Sequence, residues 1–210
     1  MSDNTSNNKR IAKNTLFLYI RMIFVLLVSL YSTRAILNAL GVVDYGIYNV
    51  VAGFVLMFAF LNSSMTNTIQ RFFNFERGNS NSDNLNKVYI TSLQIQITLG
   101  IITVVLLEII GIWYINNKMV IPVDRISAAM CVFQFSVISL FLLILQIPYG
   151  AAVVAHEKMG FYAIVSMVDV ILKLFIAFIL PYIPYDRLIY YGIFMLIISI
   201  ANIFLYFVYA

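Results

Sequence analysis

Residues 15–39 form an apolar run interrupted by only two charges, Arg21 and Arg34. A helix rises about 1.5 Å per residue, so a run of this length crosses a hydrocarbon core of about 30 Å. Backbone N–H and C=O groups find no water in lipid, and an α-helix satisfies them within one segment. Runs of this kind recur along the chain. Hydrophobic residues make up 62% of the 210 positions and charged residues only 10%. A soluble domain carries about 25% charged residues, so this chain lacks the polar surface to face water on all sides. The reading is an all-α integral membrane protein.

Length and breakers divide the chain into a polar N-terminus at 1–14 and six spans, at 15–39, 45–75, 87–115, 125–155, 159–180 and 185–210. Lys9, Arg10 and Lys13 imitate the basic start of a signal peptide. The run that follows is longer than a signal core, and no small-residue cleavage site closes it, so it reads as a retained first span. Residues 77–86, RGNSNSDNLN, read as a polar loop, His156-Glu157-Lys158 as a minimal turn, and Pro181 with Pro184 as the stop of the fifth span.

Lys and Arg are distributed unevenly about these spans. Lys9, Arg10, Lys13, Arg71, Arg77, Lys87 and Lys158 fall on one side; Arg34, Lys118, Arg125 and Arg187 fall on the other. The positive-inside bias then places the N-terminus in the cytoplasm, and with six spans the C-terminus too. The chain stops at IFLYFVYA without a polar tail, which raises the expectation of a further lobe, either beyond Ala210 or on a second chain.

The second span begins greasy and turns polar without stopping: Asn62, Ser63, Ser64, Thr66, Asn67, Thr68, Gln70 and Arg71. At a spacing of four, Asn62, Thr66 and Gln70 share one helix face, and Ser63, Asn67 and Arg71 another. Polar groups at membrane depth are tolerated against protein or a water-filled cavity. These residues are therefore candidate cavity residues of a transporter.

Charges inside spans point the same way, since each costs roughly 2.5–3.5 kcal/mol at mid-bilayer on insertion scales. Arg21, Arg34, Arg71 and Lys173 are candidate cationic contacts, with snorkelling to the headgroups as the plain alternative for Arg21 and Arg34. Glu108 and Asp169 are candidate coupling carboxylates. Asp169 and Lys173 stand at i and i+4, so pairing between them lowers the charge to be buried. An ion pair that only fixes helix packing is the plain reading there, and a bundle-facing hydrogen bond the plain reading for Glu108.

Several chemistries are excluded or lack support. One Cys, Cys131, rules out an internal disulfide, and one His, His156, rules out a two-His metal site. His156 alone in a turn reads as a solvated loop residue. No nucleophile elbow, phosphate loop or dinucleotide turn is present, so no enzyme motif and no cofactor is indicated. The net charge of +4 reflects helix-end Lys and Arg and is no nucleic-acid footprint.

Three stretches carry a family resemblance: 14–54, the end of the second helix NSSMTNTIQRFFNFERG, and QIPYGAAVVAHEKMGFYAIVSMVDVILKL. The most specific signal is the spacing of Arg34, Leu37, Asn38, Leu40, Gly41, Asp44, Tyr45, Gly46 and Tyr48, followed by the AHEKMGFYA string at 155–163. With these the chain resembles the polysaccharide or O-antigen flippases, the oligosaccharide branch of the multidrug/oligosaccharidyl-lipid/polysaccharide exporter superfamily. The resemblance implies two lobes of helices around a central cavity in the bacterial cytoplasmic membrane. It implies alternating-access transport of undecaprenyl-diphosphate-linked oligosaccharide for surface polysaccharide synthesis. The 210 residues correspond to about one lobe of that plan. A drug/cation antiporter of the same superfamily is the alternative, and a non-transporting membrane partner or remnant the reading from another class.

Overall fold

The computed structural model describes the backbone of residues 2–78, 82–156 and 158–209, and side-chain surroundings for 15–60, 64–76, 84–156 and 158–209. Among the described residues all regular structure is helical: α1 (Ser2–Leu56), α2 (Phe60–Gly78), α3 (Ser82–Asn117), α4 (Ile126–Ala155), α5 (Met159–Ile179) and α6 (Arg187–Tyr209). Short 3-10 turns lie at Met57–Ala59, Val123–Arg125 and Leu180–Tyr182. Among the described residues five runs are long and apolar enough to cross a membrane: Thr15–Glu76, Asn84–Asn117, Val123–Ala155, Met159–Tyr182 and Arg187–Tyr209. The chain is an all-helical bundle of the multi-pass membrane kind.

The first of these runs has 62 residues. As one straight helix it would reach about 93 Å, some three times a hydrocarbon core. Gly41 breaks it, at φ 80° and ψ 167°, a backbone region that residues with a Cβ rarely adopt. Before the break, Arg21 lies against Tyr162 and Tyr31 against Phe178, so this limb runs alongside α5 in the same direction. After it, Tyr48 meets Tyr191 near the start of α6, and Phe54 stacks on Tyr114 near the end of α3. Farther on, Ile69 and Phe73 of α2 pack with Ala151, Ala152 and Ala155 at the end of α4. The chain thus reverses at Gly41 and returns down the bundle.

Two ends result. At one end Gly41, the Val123–Arg125 turn and the Leu180–Tyr182 turn come together. Arg125 spans them, donating through Nη2 to Asp44 Oδ2 at 2.8 Å and through Nη1 to Asp186 Oδ2 at 2.6 Å. Asp186 Oδ1 also accepts from Leu188 N at 3.0 Å and so caps α6. Arg187 donates to the carbonyls of Ala39 and Pro181, each at 3.2 Å. At the other end α4 turns into α5 at His156, whose Nδ1 lies 2.8 Å from Ala152 O.

The centre is α4, which packs against each of the other helices. Its buried alanines, among them Ala128, Ala129, Ala151 and Ala152, let neighbours approach closely, as small residues do between membrane helices. Phe133 is fully buried and faces Gly111 on α3, where an added Cβ would lie 2.3 Å from the ring's Cζ. Pro148 sits inside α4 and leaves the carbonyl of Ile144 without its usual helical donor.

The boundaries read from sequence need two corrections. The helix starts at Ser2, well before the apolar run. The loop expected at 77–86 is mostly helix, because α2 extends to Gly78 and α3 begins at Ser82. Asn84 Nδ2 donates to Glu76 Oε2 at 3.2 Å, tying these two polar helix ends together beyond the apolar stretch.

Candidate functional site

A cavity of about 670 Å³ lies between both limbs of α1 and the helices α4, α5 and α6. Its wall mixes apolar side chains with hydroxyls, amides and tyrosine rings. Three lining residues carry charge, Arg21, Lys173 and Asp169, so two cations face one carboxylate and the net is +1.

Asp169 is the most fully engaged of the three. Its Oδ2 lies 2.7 Å from Lys173 Nζ, one turn along α5. Its Oδ1 accepts from Asn202 Nδ2 on α6, also at 2.7 Å. Both oxygens are therefore held, from two helices, and the carboxylate ties α5 to α6. The lysine retains donors beyond this one contact, because an ammonium has three. Arg21 reaches in from α1, its guanidinium 4.5 Å from the centre of the Tyr162 ring. Its Nε is buried without a hydrogen-bond partner, so the cation is held by the ring face and retains donor capacity.

The hydroxyls of Ser32, Ser136, Ser166 and Ser199 donate back to carbonyls four residues earlier, at 2.7, 2.8, 2.8 and 3.1 Å. This hides a polar group inside an apolar helix and leaves the oxygen lone pairs to accept from a ligand. Tyr48 and Tyr191 pack edge to face, 4.6 Å between ring centres, on the wall nearer Gly41. The cavity thus offers cations at Arg21 and Lys173, acceptors along four helices, and flat aromatic faces.

Of the residues singled out from sequence, Arg21, Lys173 and Asp169 line this cavity. Arg34, Thr66, Asn67, Gln70, Arg71 and Glu108 are not among its lining residues. Asn67 and Arg71 are exposed on α2, and Thr66 and Gln70 are half-buried there. Arg34 is exposed on α1. Glu108 accepts from Gln134 Nε2 at 3.1 Å, a bond between α3 and α4. Asn62, Ser63, Lys9, Arg10, Lys13, Arg77 and Glu157 lie outside the described side chains. The cavity also recruits residues that the sequence did not mark as cavity candidates: Tyr162, Ser166, Asn202, Tyr48 and Tyr191. Each is a single polar or aromatic position inside an apolar helix, and its signal lies in the convergence of separate helices, which no one stretch displays.

No family model, curated protein or solved structure matches this chain.

Proposed function

We propose that the chain is one lobe of a transporter that flips lipid-linked oligosaccharide across the bacterial cytoplasmic membrane by alternating access. The observation that carries this reading is the net-positive polar cavity within an apolar bundle. A lipid-linked glycan presents a diphosphate, sugar hydroxyls and a hydrocarbon tail. Arg21 and Lys173 supply charge-assisted donors for the diphosphate. The serine oxygens and Asn202 suit sugar hydroxyls, and the tyrosines give rings on which a sugar face can rest. The tail needs only the lipid outside.

In this reading the lobe has six passes, because the break at Gly41 divides the first long apolar run in two. The cationic bias then puts the N-terminus in the cytoplasm. The lobe rocks against a second lobe or a second chain, and the substrate passes at their junction. A diphosphate drawing Lys173 away would leave Asp169 with Asn202 alone, which supports Asp169 as the point where a proton or cation couples to transport. Glu108, bonded to Gln134 between α3 and α4, is the second coupling carboxylate of the proposal. A drug/cation antiporter remains the second reading. The observation in its favour is Asp169 on the wall together with tyrosine faces that attract cations.

The experiment is deletion of the full reading frame in the source bacterium, followed by assay of the membrane leaflet in which lipid-linked glycan collects. Accumulation on the cytoplasmic side, with loss of surface polysaccharide, supports the flippase. Complementation with Arg21→Gln and Lys173→Met variants then tests the cavity. Normal surface glycan in a strain without a redundant flippase overturns the reading and directs attention to drug efflux.

A further inference from the structure

The rim at the Gly41 end turns several apolar side chains outward. Val42 is 78% exposed, Val123 87% and Tyr182 87%, and Val120 is fully exposed. These tips belong to three separate connections of the bundle. Beneath them Arg125 holds Asp44 and Asp186, and Arg187 holds two backbone carbonyls. Apolar tips exposed on three connections at once form a patch that a surface standing wholly in water seldom presents.

The outward surface is also continuous with the lipid-facing sides of the bundle. On α5, Phe175 and Phe178 are exposed, and the apolar strip runs on through Pro181 to Tyr182. On α3, Trp113 is exposed near the helix end, with Lys118 Nζ 5.8 Å from its ring centre. Trp, Tyr and a snorkelling Lys at the end of an apolar helix suit the headgroup layer, where one side of a residue is greasy and the other wet. The exposed polar and charged groups of the rim, Asn116, Asn117, Lys118, Asp124 and Arg187, fit that layer and do not fit the hydrocarbon core.

We propose that this rim is a lipid-contact surface whose tips sit in the headgroup layer of the bilayer. The clasp beneath them takes Asp44 out of the exposed surface, and the charges that remain exposed suit the polar side of that layer. The occupant is phospholipid. A soluble partner or a second copy of the chain is what the test must separate from it. The inference stands whether or not the chain transports glycan, because it uses only the membrane bundle and its surface.

Fluorescence quenching in proteoliposomes tests it. The single tryptophan is removed by Trp113→Phe. Val120→Trp and Tyr182→Trp then place a probe on two different connections, and Ile101→Trp places a control on the exposed middle of α3. The expected result is loss of emission from both tips with phospholipid brominated near the headgroup, exceeding the loss with bromine deep in the acyl chain, and weak quenching by acrylamide. The control should favour the deep bromine, which also verifies that the bundle is folded and inserted. Strong acrylamide quenching without bromolipid quenching would place the rim in water and overturn the proposal. Protection from both quenchers would mean that protein covers the rim, and overturns it equally.

Discussion

Arg125 binds Asp44 at 2.8 Å across 81 positions of sequence, and the same guanidinium binds Asp186 at 2.6 Å. One side chain thus fastens the reversal at Gly41, the α3–α4 connection and the start of α6. Asp44 keeps only 8% of its side-chain exposure, whereas Asp186 keeps 31%. Loss of the arginine strips the buried Asp44 carboxylate of the donor on its Oδ2, and its Oδ1 already has no partner. Arg125→Met should therefore cost about 1–3 kcal/mol, the penalty for an unsatisfied buried polar group. Asp186→Asn should cost less, since that site rehydrates. Thermal unfolding of the two variants in detergent checks the order. Equal effects would mean that burial of Asp44 does not set the cost.

Gly111 allows α3 to lie against Phe133. A methyl there meets ring atoms at 2.3 and 2.5 Å, and the ring is itself fully buried. Gly111→Ala should destabilise by about 1–3 kcal/mol through overpacking. Gly53, in α1, has nothing within 4 Å of an added Cβ, so Gly53→Ala should be neutral or gain up to about 1 kcal/mol from helix propensity. The pair is read by comparing midpoints of unfolding. A neutral Gly111→Ala would show that Phe133 has room to move.

Much of the fold is legible in the chain because lipid imposes one dominant rule. Apolar length gives the helices, and Gly41, Pro122 and Pro181 mark where they break or end. The site is less legible, for a physical reason. A polar run such as 62–71 announces itself in sequence, yet Asn67 and Arg71 face outward and the described cavity is lined elsewhere. Asp169 and Lys173 could be paired from sequence because i,i+4 spacing is local. Asn202 could not, because its bond to Asp169 joins residues 33 positions apart on two helices. Likewise Arg21 and Tyr162 meet only once α1 runs beside α5.

The Asp169–Lys173 pair predicts an asymmetric mutant cycle. Lys173→Met removes the cation but leaves the carboxylate, which retains Asn202. Asp169→Asn leaves a lysine with no counter-charge among the cavity-lining residues and weakens the link to α6. The double variant removes both charges, so it should be more stable than the sum of the single losses indicates. Contacting residues couple by about 0.5–3 kcal/mol, and a value in that range is expected here. Unfolding in detergent gives the coupling, and transport normalised to protein level gives the functional share. Strict additivity would remove the ion pair from the account.

Cysteine accessibility separates the cavity from the polar face of α2. Cys131 is the chain's one cysteine, so a Cys131→Ala background makes each new thiol unique. Ser166→Cys and Asn202→Cys report on the cavity wall, and Asn67→Cys and Arg71→Cys on the exposed face of α2. A water-soluble thiol reagent should label all four, since each position borders polar space. Substrate separates them. A lipid-linked glycan seated between Arg21 and Lys173 should slow labelling at 166 and 202 and leave 67 and 71 unchanged. The reverse pattern, with protection confined to 67 and 71, would move the transport path to α2 and restore the polar run of the second span as its lining. Inert thiols at 166 and 202 under every condition would show that the cavity is closed to water, and Asp169 and Lys173 would then be a packing pair alone.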